Sequence, residues 1–232
     1  MNLRHCFFSL PRIKWHLVLV AAMVAALLTW SAHGAADFDK LLSTSVARWG
    51  NRMVAQVSQW RNVIRNSNGT TELERLTRVN NYFNQLMRFG EDTDIWGQLD
   101  YWATPMESLH RAAGDCEDFA IAKYYTLLET GIPAEKLRLT YVRAKLSVFQ
   151  SPVPHMVLAY YEQPTSEPLI LDNLIAEISP ASRRTDLTPV FTFNSLGIFN
   201  GSAGTTPMQA GGTSRYSKWT DLMRRARAEG FE

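Results

Sequence analysis

Cysteine is almost absent from this chain, since only Cys6 and Cys116 occur among its 232 residues. Cys6 precedes an apolar run typical of an export signal, so loss of that segment leaves Cys116 without a disulfide partner. A free thiol in an oxidising compartment is open to oxidative damage, and its presence there indicates a chemical role. An internal disulfide is excluded, and a zinc site based on cysteine spacing is poorly supported.

Other absences narrow the class of protein further. The chain has no glycine-rich phosphate loop, no heptad pattern and no solenoid repeat. Residues 1–36 hold three of the 24 basic residues and no acidic residue, so the remainder has 21 basic and 22 acidic side chains. The sequence pI of 8.6 therefore reflects mainly the first segment. Without a basic excess, nucleic acid is not an expected partner.

The N-terminal segment 1–36 has the order of a signal peptide. Basic residues come first, the apolar run Leu17–Leu28 follows, and small residues lead to Ala36. The apolar run is shorter than the ~20 residues that cross a bilayer. We predict export with cleavage between Gly34 and Asp37, and an uncleaved membrane anchor is the alternative.

Residues 37–196 are predicted to form one α+β domain. Apolar residues at helical spacing predict helices over Asp39–Arg65, residues 71–89 and Asp115–Thr130, the second with a capping box at Thr71 and Glu74. The segments that favour strands are Leu137–Ala144, Met156–Tyr161, Leu169–Leu171 and Phe191–Asn194. Helices followed by mostly antiparallel strands are typical of an α+β fold. Residues 197–217 are predicted to be flexible, and residues 218–232 to hold a last helix.

A loop rich in tryptophan and aspartate spans Glu91–Pro105. Its rings either close the edge of the core or line a site, and both interpretations stay open. In the second, acids such as Asp94 are candidate ion ligands, and a donor between Trp96 and Trp102 is a candidate second member of an oxyanion hole.

Cys116 falls in the first turn of the third predicted helix, where unpaired N–H groups and a partial positive charge favour a thiolate. His155, at a strand start, can supply a base, and Asp172, at the end of a neighbouring strand, can orient its ring. The backbone N–H of Cys116 would stabilise an oxyanion. The competing interpretations are an ordinary strand-start histidine and an Asx turn at Asp172–Asn173. His110 is expected to be a surface or capping histidine.

Two carboxylates flank the thiol. Asp115 and Glu117 would each oppose a thiolate by roughly 3 kcal/mol at ~6 Å and an effective dielectric constant of ~20. A bound Ca²⁺, which prefers oxygen ligands, would reverse that effect. Acidic residues are also common at helix starts, and the spacing is not that of an EF-hand, so the chemistry alone leaves calcium open.

The motifs resemble one known family as a set. They are Gly114–Ala120, His155–Leu158 and Leu171–Asn173, with Trp96–Gly97 and Asp100–Pro105 upstream. Over about residues 40–195 the chain is similar to the bacterial transglutaminase-like cysteine proteinases, and among these to the periplasmic adhesin proteases.

The resemblance implies a papain-like fold of the transglutaminase type with N-terminal helices on an antiparallel sheet. It implies that Cys116 is the nucleophile, His155 the base and Asp172 the orienting residue, and that Asp115 and Glu117 bind Ca²⁺. The implied activity is calcium-dependent periplasmic cleavage of the N-terminal region of a large surface adhesin, beside a pair of alanines, which releases the adhesin and disperses a biofilm. The implied inhibitory partner is an inner-membrane receptor that senses cyclic di-GMP. The alternatives are an exported murein peptidase or transglutaminase, and a non-catalytic binding module on the same fold.

Overall fold

The structure, a computed structural model, describes residues 36–146, 148, 151–200 and 214–231. Residues 1–35 of the predicted signal peptide therefore lie outside the described residues. Within the described ranges, no helix has both the length and the apolar character needed to cross a membrane. The helices are α1 (Phe38–Trp49), α2 (Arg52–Arg65), α3 (Glu72–Leu86), α4 (Asp92–Ile95), α5 (Pro105–Arg111), α6 (Cys116–Glu129) and α7 (Ser214–Glu229). The strands are β1 (Arg88–Phe89), β2 (Ala113–Gly114), β3 (Leu137–Ala144), β4 (Val153–Tyr160), β5 (Leu169–Leu171), β6 (Ser179–Pro180), β7 (Leu187–Asn194) and β8 (Gly197–Asn200).

The first predicted helix is two helices. Gly50 separates α1 from α2 with φ of 83°, a left-handed conformation that glycine adopts without a steric penalty. The prediction of one helix over Asp39–Arg65 was therefore wrong at this point. The capping box at the start of α3 is confirmed, because Thr71 and Glu74 each accept a hydrogen bond from the other's backbone N–H.

The described strands β3 to β8 form one six-stranded sheet in the order β6-β5-β4-β3-β7-β8, with every neighbouring pair antiparallel. Strand β3 is central and pairs with β4 through Leu139 opposite Leu158, and with β7 through Thr140 opposite Thr192. The α+β prediction is confirmed. The predicted strands Leu137–Ala144 and Leu169–Leu171 match β3 and β5.

Helix α6 lies at the centre of the molecule. Its side chains Ile121 and Leu127 are fully buried in the same core as Leu139 and Leu158 of the sheet. The predicted end at Gly131 is confirmed, since this residue has φ of 84°. Burial on all sides makes α6 a rigid support for the residue at its N-terminus, Cys116.

The C-terminal region contradicts part of the prediction. Gly197–Asn200, expected to be flexible, forms β8 and pairs with β7. Helix α7 already begins at Ser214, and its Trp219 and Leu222 are fully buried in the main core. The remainder of the predicted flexible segment, residues 201–213, lies outside the described residues. The helix expected beyond residue 217 thus belongs to the same core as the predicted domain 37–196, because its apolar face packs there.

Candidate active site

Cys116 is placed by a short parallel pairing that precedes α6. Strand β1 follows α3 and pairs with β2, with Phe89 opposite Gly114. A Cβ on Gly114 would lie 2.5 Å from Cβ of Asp118, so only glycine fits at this approach. Asp115 then acts as the N-cap of α6, where its carboxylate accepts a hydrogen bond from the Asp118 backbone N–H.

The sulfur of Cys116 contacts groups from α6 and β4. The thiol donates to Oε2 of Glu117 at 2.8 Å, and the backbone of Met156 lies close enough to lower the pKa of the thiol. Burial, the charges of Glu117 and Asp115 and the Glu117 hydrogen bond raise the pKa of Cys116 well above its usual value, which the Met156 contact only partly opposes. The expected conflict between the thiolate and its acidic neighbours is therefore present in the structure.

His155 of β4 and Asp172, the residue after β5, form a buried pair. Helix α6, which begins with Cys116, packs against β4, the strand that carries His155 and Met156. The Nε2 atom of His155 lies 2.9 Å from Oδ1 of Asp172, with both side chains buried. This contact assigns the proton to Nε2 and leaves Nδ1 as the basic nitrogen. The structure thus joins two of the three predicted residues, His155 and Asp172, by a direct contact.

Asp172 is held as an anion by several donors. Burial disfavours its charge, but the hydrogen bond and charge of His155, the backbone N–H of Leu174 and the guanidinium of Arg184 outweigh burial and lower its pKa to about 2. Oδ1 accepts from His155 and from Leu174, and Oδ2 accepts from Arg184 at 2.7 Å. The Asx-turn contact to Leu174 is therefore present together with the histidine contact.

Sequence reasoning missed Arg184. Its side chain is only 4% exposed and also pairs with Asp186 at 2.8 Å. It follows the short β6 in a polar stretch that carries no periodicity and no motif. Its position twelve residues after Asp172 gave no local signal.

A carboxylate cluster lies next to the thiol. Oxygens of Asp92, Asp115 and Asp118 all lie within 4.8 Å of one another. Burial and the charges of neighbouring carboxylates raise the pKa of Asp115 and of Asp118 well above the usual range, and raise that of Asp92 to about 6. Glu117 is outside this group of three, but its charge raises the pKa of each member.

The cluster fits a hard cation. Oδ1 of Asp92 is buried and has no hydrogen-bond partner, which leaves a carboxylate oxygen available as a ligand. Three converging carboxylates are a donor set that Ca²⁺ prefers. Of the two predicted ligands, Asp115 lies in the cluster and Glu117 beside it. The Glu91–Pro105 loop contributes Asp92 to the cluster, and this residue is buried. Asp94, the predicted candidate from that loop, is exposed.

The Glu91–Pro105 loop packs against this cluster, and the polar atoms of its aromatic side chains already donate hydrogen bonds to carboxylates. Trp96 Nε1 donates to Asp118 at 3.0 Å, Trp102 Nε1 to Asp100 at 3.1 Å, and the Tyr101 hydroxyl to Glu107. These side chains are therefore engaged within the structure, and none of the three is a ready second donor to an oxyanion.

His110 lies away from the cysteine. Its ring stacks on Trp49 and contacts the guanidinium of Arg52. Burial and the charges of Arg52, Arg111 and Arg48 lower its pKa to about 4. This placement agrees with the expectation that His110 is not the base.

The fold and the site together define a cysteine protease of the papain-like, transglutaminase type. The family described as bacterial transglutaminase-like cysteine proteinase (BTLCP) matches residues 51–188, more than half of the chain. The chain belongs to this family. Among curated proteins, no sequence matches it.

Solved structures of one protein from Legionella pneumophila are similar to the chain. Legionella pneumophila LapG is 35% identical over 83% of this chain and 98% of its own, with a TM-score of 0.67. Its calcium-bound form is 36% identical over 81% of this chain and 98% of its own, with a TM-score of 0.68. An EGTA-treated form gives 36% identity over 83% and 98% of the two chains, with a TM-score of 0.68.

Proposed function

We propose that the chain is a calcium-dependent periplasmic cysteine endopeptidase that cleaves the N-terminal region of a large surface adhesin beside a pair of alanines. Cleavage releases the adhesin and promotes biofilm dispersal. An inner-membrane receptor that senses cyclic di-GMP holds the protease inactive. Family membership and the similarity to LapG support the protease class, and the signal-like segment 1–36 supports export.

The observation that carries the catalytic part is the buried hydrogen bond between His155 and Asp172, on the sheet against which the helix of Cys116 packs. Nε2 of His155 lies 2.9 Å from Oδ1 of Asp172, and the backbone of Met156, the residue after His155, lowers the pKa of Cys116. A nucleophile at a helix N-terminus beside a base with its own orienting group is the arrangement that covalent acyl transfer needs.

In the proposed reaction, Nδ1 of His155 takes the thiol proton of Cys116, and the sulfur attacks the scissile carbonyl carbon. The carbonyl oxygen becomes an oxyanion, which the backbone N–H of Cys116 stabilises. Protonated His155 gives its proton to the leaving amine as the C–N bond breaks, and a thioester remains. Water, deprotonated by His155, then cleaves the thioester and restores the thiol. Asp172 keeps Nε2 protonated throughout.

Calcium is proposed at the cluster of Asp92, Asp115 and Asp118, with Glu117 beside it. The calcium-bound and EGTA-treated LapG structures support a calcium site in a protein of this fold. When bound, the ion would offset the negative charge that disfavours a thiolate at Cys116.

The test is cleavage of a recombinant adhesin N-terminal fragment that contains a di-alanine site. The wild-type chain should produce two fragments in calcium, and a matched fragment with the di-alanine replaced should stay intact. Cys116→Ala should be inactive with an unchanged melting temperature, since the thiol is removed and a similar volume remains. Cleavage by Cys116→Ala would end the nucleophile assignment.

Peptidoglycan and a glutamine-plus-amine pair are the control substrates for the alternative thiol enzymes. Release of muropeptides with an intact adhesin fragment would favour a murein peptidase, and amine incorporation would favour a transglutaminase. Labelling of Cys116 by a thiol-directed probe only at the rate of an ordinary thiol, together with no cleavage, would favour a binding module.

A further inference from the structure

The main chain of Asp172 is held by two side chains outside the predicted triad. Its carbonyl oxygen accepts hydrogen bonds from Nδ2 of Asn84 at 2.8 Å and from Nζ of Lys123 at 3.0 Å. Asn84 is on α3, and Lys123 is on α6. Two helices thus converge on one carbonyl of the residue that orients His155.

These two hydrogen bonds take the place of the sheet hydrogen bonding that stops where strand β5 ends. Strand β5 has only three residues, and its last pair with β4 joins Leu171 to Leu158. Asp172 lies one residue beyond, where the sheet no longer supplies a partner. A buried carbonyl without a partner would be unfavourable, so Asn84 and Lys123 supply the bonds that the sheet does not.

Lys123 is unusual because a lysine side chain is rarely buried. It is 1% exposed, and its Nζ lies 5.8 Å from the ring centroid of Phe119. Burial lowers its pKa to about 7, against the attraction of Asp172. A neutral amine and an ammonium both have N–H donors, so the bond to the carbonyl survives either protonation state.

Lys123 is also on the nucleophile's own helix. It lies seven residues after Cys116, or about two helical turns. Because α6 is buried along its length, a bond from Lys123 ties the position of Asp172 directly to the helix that carries the thiol.

We infer that Lys123, with Asn84, is a positioning residue that fixes Asp172, and through it the His155 ring, relative to Cys116. This inference rests on the catalytic roles in the proposed function. It predicts that loss of the Lys123 donor slows chemistry without weakening substrate binding, because the contact is remote from substrate.

The test compares Lys123→Met with Lys136→Met in the full chain with calcium. Both changes remove a lysine amine from a chain of the same length, and Lys136 pairs with Glu72 and not with Asp172. With a peptide spanning the adhesin's di-alanine site, Lys123→Met should lower kcat by about 10- to 100-fold with KM nearly unchanged, and Lys136→Met should leave both unchanged. Lys123→Gln, which keeps a donor, should recover part of kcat.

A second readout does not depend on activity. The downfield proton resonance of His155 Nε2–H, assigned by its loss in His155→Ala, reports the bond to Asp172. It should shift or broaden in Lys123→Met and in Asn84→Ala, and stay unchanged in Lys136→Met. Asn84 is only partly buried, so its variant tests the same carbonyl if Lys123→Met does not fold.

A normal kcat and an unchanged resonance in Lys123→Met or Asn84→Ala would overturn the inference while Cys116→Ala and Asp172→Asn remain inactive. Activity in either of those two variants would instead overturn the proposed function.

Discussion

The guanidinium of Arg184 lies 2.7 Å from Oδ2 of Asp172, the carboxylate oxygen that His155 does not use. Both side chains are almost fully buried, so Asp172 has a full ionic partner on the side opposite its histidine. These contacts lower the pKa of Asp172 to about 2, so its carboxylate is charged near neutral pH.

Arg184→Met should destabilise the protein and slow cleavage. Removal of one partner from a buried ion pair leaves an uncompensated charge, which costs about 3 kcal/mol or more. Urea unfolding and kcat on the adhesin fragment measure the two effects. Arg183→Met is the matched control, since Arg183 is exposed and its loss should change stability by no more than ~0.5 kcal/mol. Equal stabilities of the two variants would contradict the assigned role of the ion pair.

Asp92→Asn should weaken calcium binding at least about tenfold, because it removes a charge from the carboxylate cluster. Titration calorimetry of the variant measures the change. Asp94→Asn, a change of the same chemistry at an exposed position of the same short helix, should bind as the wild type does. If Asp94→Asn were the weaker binder, the cluster would not be the calcium site.

Calcium should stabilise the protein more at about pH 8 than at about pH 5. Asp115 and Asp118 have raised pKa values in the fold, so they add stability at low pH that is lost as pH rises. Calcium takes the place of those protons, and at low pH the protons compete with it. Melting temperatures with calcium and with EGTA at both pH values test this prediction. A calcium-dependent rise in melting temperature that is larger at the lower pH would contradict it.

Trp219→Ala should destabilise the protein by about 3–5 kcal/mol, since it leaves a cavity in the core and removes a hydrogen bond to the Asn194 carbonyl. Chemical denaturation measures the loss. Trp49→Ala is the control, because it makes the same change at a half-exposed position. It should lower the free energy of unfolding clearly less. A similar cost for both would mean that α7 is not part of the cooperative core.

Local patterns accounted for much of the secondary structure. The capping box at Thr71 and Glu74 and strands β3 and β5 were predicted at or near their observed bounds. The box at Thr104 and Glu107 has the same spacing and shows that α5 was also readable from sequence. The split between α1 and α2 was missed because apolar spacing continues across Gly50, although its backbone does not.

The sequence by itself determined where the thiol sits, because a cap, a helix start and the flanking acids are neighbours along the chain and act over one turn. Only the tertiary structure decided which distant groups come together: Asp92 in the carboxylate cluster, Arg184 and Lys123 on Asp172, and Trp219 in the core. Single polar or aromatic side chains carry no periodicity, and their partners lie far along the chain. Packing of the helices on the sheet creates the low-dielectric setting in which those contacts form.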